Sequence, residues 1–394
     1  MSQKSLHIVS HSFPTIEAPY DATFISDHAS TLSDHFDVRV CIPTPISFPF
    51  TYRFIKNHSP LILPDNVQGD RCLYLSLPKK RFPAFISRSL SKNVVKSLSG
   101  QPIDLIHVHF LYPSGMIISE LKKEFRCPVI LTVHGVDFYH TYNKPVLKNI
   151  LKSNLEQADA IVSVGPGLKQ DIVNEYPDLK DKVHCIHNFV DTRIFKPVKQ
   201  EIRERLRVEL SNNPSSFQLL CVANFRHKKG IDTLMEALTL MKKPDLPTLH
   251  LIGRVDEEPD FQARVRKKIE TSGLKNVVIH GPKPREEIKK WMQAMDGFIL
   301  PSRNEPFGIA LIEAMACGLP VISTKSGGPE QILKENRGIL IQPDKPKQLA
   351  KAIAQIQEIN SFDAEGQHAY IEENFGKKRY TTEYTGLYER LLSK

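Results

Sequence analysis

Ser302 to Glu330 reads SRNEPFGIALIEAMACGLPVISTKSGGPE. Two carboxylates, Glu305 and Glu313, flank an apolar segment whose pattern predicts a helix opening at about Phe307 or Gly308. The first N–H groups of a helix lack partners inside it and carry partial positive charge. That end is a natural seat for phosphate. Glu313 falls on the stripe of Ile309, Ile312 and Ala316, the face expected to turn toward the protein. A carboxylate there is costly unless it is paired or accepts hydrogen bonds. The vicinal hydroxyls of a sugar or ribose supply those donors without adding charge. Phosphate at the helix end and hydroxyls at the two acids together describe a nucleotide sugar. The plain alternative is a solvated glutamate on a surface helix. The Gly308 turn and the strand and Gly-Gly loop from Val321 to Gly328 argue against it.

This stretch resembles the E-x7-E signature of the retaining glycosyltransferases of family 4. The resemblance is carried by Pro301-Ser302, Glu305 to Gly308, Glu313 to Ala316 and Gly318 to Val321. It implies an α/β chain of GT-B fold, with two Rossmann-like doubly wound domains facing across a cleft. It also implies an acceptor-binding domain over residues 1–195, a nucleotide-sugar donor domain over 196–377, and a terminal helix at about 378–394 packing back on the first.

The bulk properties allow this. The chain has 394 residues, 41% of them apolar and 25% charged, which is ordinary for a globular protein of two or three domains. A net charge of +9 fits an anionic ligand or surface without choosing among nucleotide, membrane and nucleic acid. The six cysteines are scattered without a C-x-x-C pair, which predicts buried free thiols in a reducing compartment. Neither a signal peptide nor an apolar run near the ~20 residues of a membrane span is legible. The expectation is a cytoplasmic protein, with peripheral contact at the inner face of the membrane left open.

From the N-terminus, Leu6 to Ser10 predicts a first parallel strand, followed by a helix from Ala22 to Leu32 and a strand from Val38 to Ile42. The family's first loop often carries a Gly-Gly pair, whereas the first glycine here is Gly69. Phe13-Pro14 and Phe24-Ile25 resemble the polysaccharide-building branch. Residues 51–100 are strongly basic, with nine Lys or Arg against two Asp. Within them, Pro78 to Leu98 interleaves cations with Phe82, Phe85, Ile86, Leu90 and Val94 at near-helical spacing. One reading is an interfacial helix docking on anionic lipid; the other is a solvated helix packed on its own sheet. Nucleic acid is not expected, because no recognised module surrounds the patch.

Leu105 to Phe110 and Pro128 to Val133 read as buried strands. His107 and His109, two apart on a strand, share a face in a spacing that suits a metal, but no third and fourth ligand is legible. After the second strand, His134-Gly135 resembles the family's T-x-H-G, which implies that His134 contacts the transferred sugar at a strand end where α/β sheets bind ligands. Asn188 to Asp191 and Phe195-Lys196-Pro197 resemble the run closing the family's first domain, so a hinge is expected over residues 195–215.

In the second half, Phe217 to Val222 predicts a strand and Ile231 to Met241 a helix. Between them lie Arg226, Lys228 and Lys229, cations at the mouth of a strand–helix turn, suited to neutralising a diphosphate. Lys229-Gly230 matches the end of the family's V-G-R-x4-K-G, while its Gly-Arg reads Ala223-Asn224. The loop Gly281 to Pro284 resembles the family's base-binding loop. The resemblance thus implies catalytic roles for His134, Glu305, Lys229 and Arg226. Donor contacts are implied for Glu313, Phe307, Gly308, Ile309, Asn224, Gly253, Pro282 and Lys283. No D-x-D motif is present, so no metal and no cofactor beyond the UDP-, GDP- or ADP-sugar substrate is expected. The acceptor implied is a glycan or lipid-linked hydroxyl. The competing readings are a GT-B nucleotide-sugar epimerase and a non-catalytic nucleotide-sugar-binding scaffold.

Overall fold

The computed structural model describes residues 3–46, 59–76, 82–142, 144–242, 245–359 and 361–393. The chain divides into two compact units, Met1–His187 with Tyr380–Lys394, and Asn188–Arg379. The boundary expected at 195 falls instead after His187. The Asn188 to Phe195 run belongs to the second unit because its backbone is pinned there: Val190 N–H donates to Phe375 O at 3.0 Å. Phe195 is fully buried, and the Arg285 guanidinium lies 5.1 Å from its ring centroid.

The first unit holds a seven-stranded sheet: β1 Ser5–Val9, β2 Asp37–Ile46, β3 Gln68–Leu75, β4 Leu105–His109, β5 Val129–Val133, β6 Ala160–Ser163 and β7 Val183–Cys185. Its order is β3-β2-β1-β4-β5-β6-β7, all parallel. Strands β1, β4, β5 and β6 are buried at every position, as a sheet covered on both faces requires. Pro43 and Pro45 are tolerated in β2 because its pairing with β1 ends at Cys41, leaving them bonded to β3 on one side only.

The second unit has six parallel strands: β8 Gln218–Val222, β9 Thr248–Ile252, β10 Val277–Gly281, β11 Gly297–Leu300, β12 Val321–Thr324 and β13 Ile339–Ile341. Their order is β10-β9-β8-β11-β12-β13. Both sheets reverse direction next to their first strand, between β1 and β4 and between β8 and β11. Such switch points are where open α/β sheets leave a crevice beyond their strand ends.

The amphipathic segment forms a helix, Pro83–Leu98. Its stripe of Ile86, Leu90, Val94 and Leu98 is buried against the unit's own β2 and β3, each side chain worth roughly 1.5–3 kcal/mol. Phe82 and Phe85 remain exposed at its start. Pro78 to Arg81, the basic entry of the expected interfacial helix, lie outside the described residues, as do Arg53 and Lys56. Five of the six cysteines are buried, and Cys185 is half-buried. Among the described residues, no helix is long and apolar enough to cross a membrane.

Candidate functional site

At the switch point of the second unit, the loops leaving β8 and β11 meet. Lys229 Nζ donates to Glu305 Oε2 at 2.6 Å, and Ser302 Oγ donates to the same oxygen at 3.1 Å. The two charged side chains are 19% and 10% exposed. Glycines make the approach possible. Gly230, at φ +66°, lies where a Cβ would come within 2.0 Å of the Pro301 carbonyl oxygen. From the other side, a Cβ on Gly328 would meet the Phe307 carbonyl oxygen, also at 2.0 Å. Glu305 is thereby held through its backbone too, accepting from Gly328 N–H at 2.7 Å and donating to Ser326 O at 2.9 Å.

Arg303, which the sequence did not single out, fixes the cationic turn. Its guanidinium spans Asp232 at 2.8 Å, Asp344 at 2.7 Å and the His227 carbonyl at 2.5 Å, and its N–H donates to Lys228 O at 2.7 Å. Lys228 is the residue most changed by this enclosure. Burial, then repulsion from Lys229, brings its ammonium down to about 8. A group so poised is ready to take up charge when an anion arrives.

The expected helix forms over Ile309–Ala316, with Gly308 as its N-cap. Phe307 is buried before it. Glu313 is buried as expected, but its partner was not foreseen: Arg285 Nε stands 3.5 Å from Glu313 Oε1. The carboxylate expected to rely on ligand hydroxyls already has a guanidinium beside it. Arg285 starts the helix Arg285–Ala294, directly after the loop carrying Pro282 and Lys283. Lys283 itself pairs with Glu287 at 2.9 Å.

Arg226 is not joined to the Lys229–Glu305 pair. Its Nε donates to Glu257, whose other oxygen accepts from Asn224 Nδ2 at 3.1 Å. Asn224 Oδ1 accepts from Arg254 N–H at 3.1 Å, one residue past Gly253. Glu257 had no sequence signal beyond its place in an acidic loop after β9. It binds Arg226 to structure, so a phosphate reached by Arg226 must share it with Glu257.

His134, in the first unit, stands at the end of β5. Its N–H donates to Asp137 Oδ1 at 3.0 Å, and Asp137 Oδ2 takes the Leu111 N–H at 2.6 Å. Burial pushes the Asp137 carboxyl up to about 6 against those backbone bonds. The His134 ring lies between Phe24 and Phe110, with centroids at 4.8 and 4.6 Å. Desolvation, then His11, brings its pKa down to about 3, so the imidazole is neutral. Its Nε2 lies 3.1 Å from His109 Nδ1. Behind it, His107 and His109 meet His28 of the helix Thr23–Leu32 and a face of Tyr380, Tyr384 and Tyr388 from the helix Lys377–Leu392. The i, i+4 spacing of those tyrosines was the signal that a helix face is buried here.

With charged groups gathered at a switch point of one doubly wound unit and a histidine at a strand end of the other, the architecture and site match one class of enzyme. Residues 202–375 match the family model described as glycosyl transferases group 1, and residues 22–194 that of glycosyltransferase family 4. The N-acetyl-alpha-D-glucosaminyl L-malate synthase of Bacillus anthracis is 25% identical over 77% of this chain and 79% of its own. A putative teichuronic acid biosynthesis glycosyltransferase of Bacillus subtilis is 26% identical over 86% of each. The crystal structure of Anabaena HepE in complex with UDP and glucose superposes with a TM-score of 0.76 at 19% identity, over 98% of this chain and 100% of that one. The fold is that of the GT-B glycosyltransferases. The chain belongs to glycosyltransferase family 4.

Proposed function

We propose that the chain transfers a sugar from a nucleoside-diphosphate donor to a hydroxyl of a glycan or lipid-linked acceptor, with retention of anomeric configuration and without a metal ion at the diphosphate. The observation that carries this reading is the Lys229–Glu305–Ser302 group at the β8/β11 switch point, beside the N-terminus of the helix Ile309–Ala316. Lys229 and Lys228 neutralise the diphosphate as it leaves, where partial burial makes each charge count for more. Glu305 accepts from hydroxyls of the donor sugar, and backbone N–H groups from Phe307 to Ile309 meet sugar and phosphate oxygens. Glu313, steadied by Arg285, accepts from the ribose. His134 contacts the transferred sugar as a neutral hydrogen-bonding group. In this scheme the departing phosphate receives the proton of the acceptor hydroxyl, so no separate base is assigned.

HepE was crystallised with UDP and glucose, which favours UDP as the first nucleotide to test. A relative named for teichuronic acid biosynthesis supports a polymer or lipid-linked acceptor, as do the exposed Phe82 and Phe85 beside a basic helix. A relative named as a malate synthase makes a small acceptor the comparison to run alongside. The test is calorimetric titration of UDP, GDP and ADP in EDTA, followed by nucleoside-diphosphate release from the matching sugars with both acceptor types. Binding of one nucleotide with acceptor-dependent release supports the reading. Binding without release under any acceptor supports a scaffold, and no binding at all removes the donor site.

A further inference from the structure

The buried cluster of the first unit has a geometry that the transfer reaction does not explain. His28, His107 and His109 are all at most 1% exposed, and one ligating atom of each lies within 4.8 Å of the others. His28 Nε2 is 3.0 Å from His107 Nδ1. The Tyr388 hydroxyl stands 2.5 Å from that Nδ1 and 3.2 Å from His28 Nε2. The His109 ring stacks on His107 at 4.2 Å, and its Nε2 is a buried nitrogen without a hydrogen-bond partner. A buried nitrogen left so is destabilising.

The other nitrogen of each ring has a partner outside the cluster. His28 Nδ1 meets the Tyr380 hydroxyl at 2.6 Å, His107 Nε2 meets Thr132 Oγ1 at 2.7 Å, and His109 Nδ1 meets His134 Nε2 at 3.1 Å. One nitrogen turned to a common centre, with the other held by an outer partner, is how metal-binding histidines are oriented. We propose that His28, His107, His109 and Tyr388 form a structural site for a divalent transition metal of the zinc class.

The dimensions suit it. Tetrahedral zinc with Zn–N near 2.0–2.1 Å places neighbouring ligand atoms roughly 3.3 Å apart. The His28–His107 edge at 3.0 Å and the His28–Tyr388 edge at 3.2 Å are already close to that value, while the His107–Tyr388 edge at 2.5 Å must open and His109 must close in for a metal to enter. Burial keeps all three imidazoles neutral, His28 down to about 3 and the other two well below their ordinary value, so no proton must leave them for a metal to bind. Burial also pushes the Tyr388 hydroxyl far up. A bound dication reverses that preference, the phenol proton passes to solvent, and the site's net charge falls from +2 to +1. The site joins three segments distant in sequence: the helix Thr23–Leu32, β4 and the last helix. Through His109 it also orients His134. It is distinct from the diphosphate subsite, which this reading leaves metal-free.

The test uses the full chain without a histidine tag, produced in zinc-replete and in zinc-depleted medium. Metal content is read by plasma mass spectrometry. The expected result is about one zinc per chain from replete medium, retained through native-state chelation because the ligands are enclosed. Zinc-depleted protein should show a lower thermal midpoint that rises on metal addition. Cobalt should give the visible bands of a tetrahedral site together with an ionised-tyrosine difference band. Tyr388→Phe, nearly isosteric, should lose the tyrosine band and at least tenfold in zinc affinity, and His109→Ala should lose the stoichiometric metal. His280→Gln, in the other unit, should retain it. No stoichiometric zinc or cobalt in wild-type protein from either medium, or equal retention by wild type, Tyr388→Phe and His109→Ala, overturns the proposal. The wild-type measurement stands even where a variant fails to fold.

Discussion

Replacing Lys229 by Met leaves the Glu305 carboxylate in place, 10% exposed, with the Ser302 hydroxyl still donating to it. At 2.6 Å and an effective dielectric of about 20, the gross attraction of the pair is roughly 6 kcal/mol. Much of that offsets the desolvation of the two ions, so the intact pair adds little net stability. Removing one partner is different, because the desolvated charge stays behind at a cost of about 3–5 kcal/mol. Both side chains keep some contact with water, so the lower end applies, about 3 kcal/mol. For a unit of this size each kcal/mol moves the midpoint by roughly 2–4 °C, giving a fall of about 6–12 °C. The double variant Lys229→Met/Glu305→Gln removes both charges and should recover to within about 1 kcal/mol of wild type. Differential scanning calorimetry of the wild type, both single variants and the double variant measures the cycle. A double variant as unstable as the sum of the singles would mean that the pair is not coupled, and the account of this site fails.

Gly230→Ala should lower the midpoint and reduce donor binding, because its Cβ would need to stand 2.0 Å from the Pro301 carbonyl oxygen at φ +66°. The cost is about 1–3 kcal/mol, and a variant as stable as wild type contradicts the packing. Glu313→Ala should weaken nucleotide-sugar binding by roughly 1–3 kcal/mol, the worth of a hydrogen bond to a charged group; unchanged affinity in a folded variant removes Glu313 from the donor site. Lys228, half-protonated near pH 8, should become fully charged when a diphosphate binds, so binding at pH 8 takes up roughly half a proton. At pH 6 the ammonium is already charged and the uptake should vanish. Calorimetry in two buffers of different ionisation heat reads this directly, and nucleotide binding without uptake at pH 8 excludes Lys228 from the subsite.

Local features were legible because they repeat along the chain. The strand–helix alternation and the helix opening at Gly308 follow from periodicity and from a glycine that few other residues could replace, while the Lys229-Gly230 turn and Glu305 stood out through their resemblance to family motifs. The basic amphipathic segment was legible as a helix, but which side its apolar stripe faces depends on β2 and β3, and they bury it. The partners of charged groups were not legible. Arg303 with Asp232, Arg285 with Glu313, and Arg226 with Glu257 join residues 28 to 71 positions apart. Nothing in a linear pattern says which surface cation a parallel sheet will carry to which acid.

The histidines show the same division most sharply. His107 and His109 share a strand face in the sequence, where no further ligand is legible. His28 reaches them across 79 residues and Tyr388 across 281. Hydrophobic periodicity determines that a strand and two helices exist and which stripe each buries. Only the sheet order and the docking of the last helix place those stripes together, because packing depends on the three-dimensional path of the chain and not on distance along it.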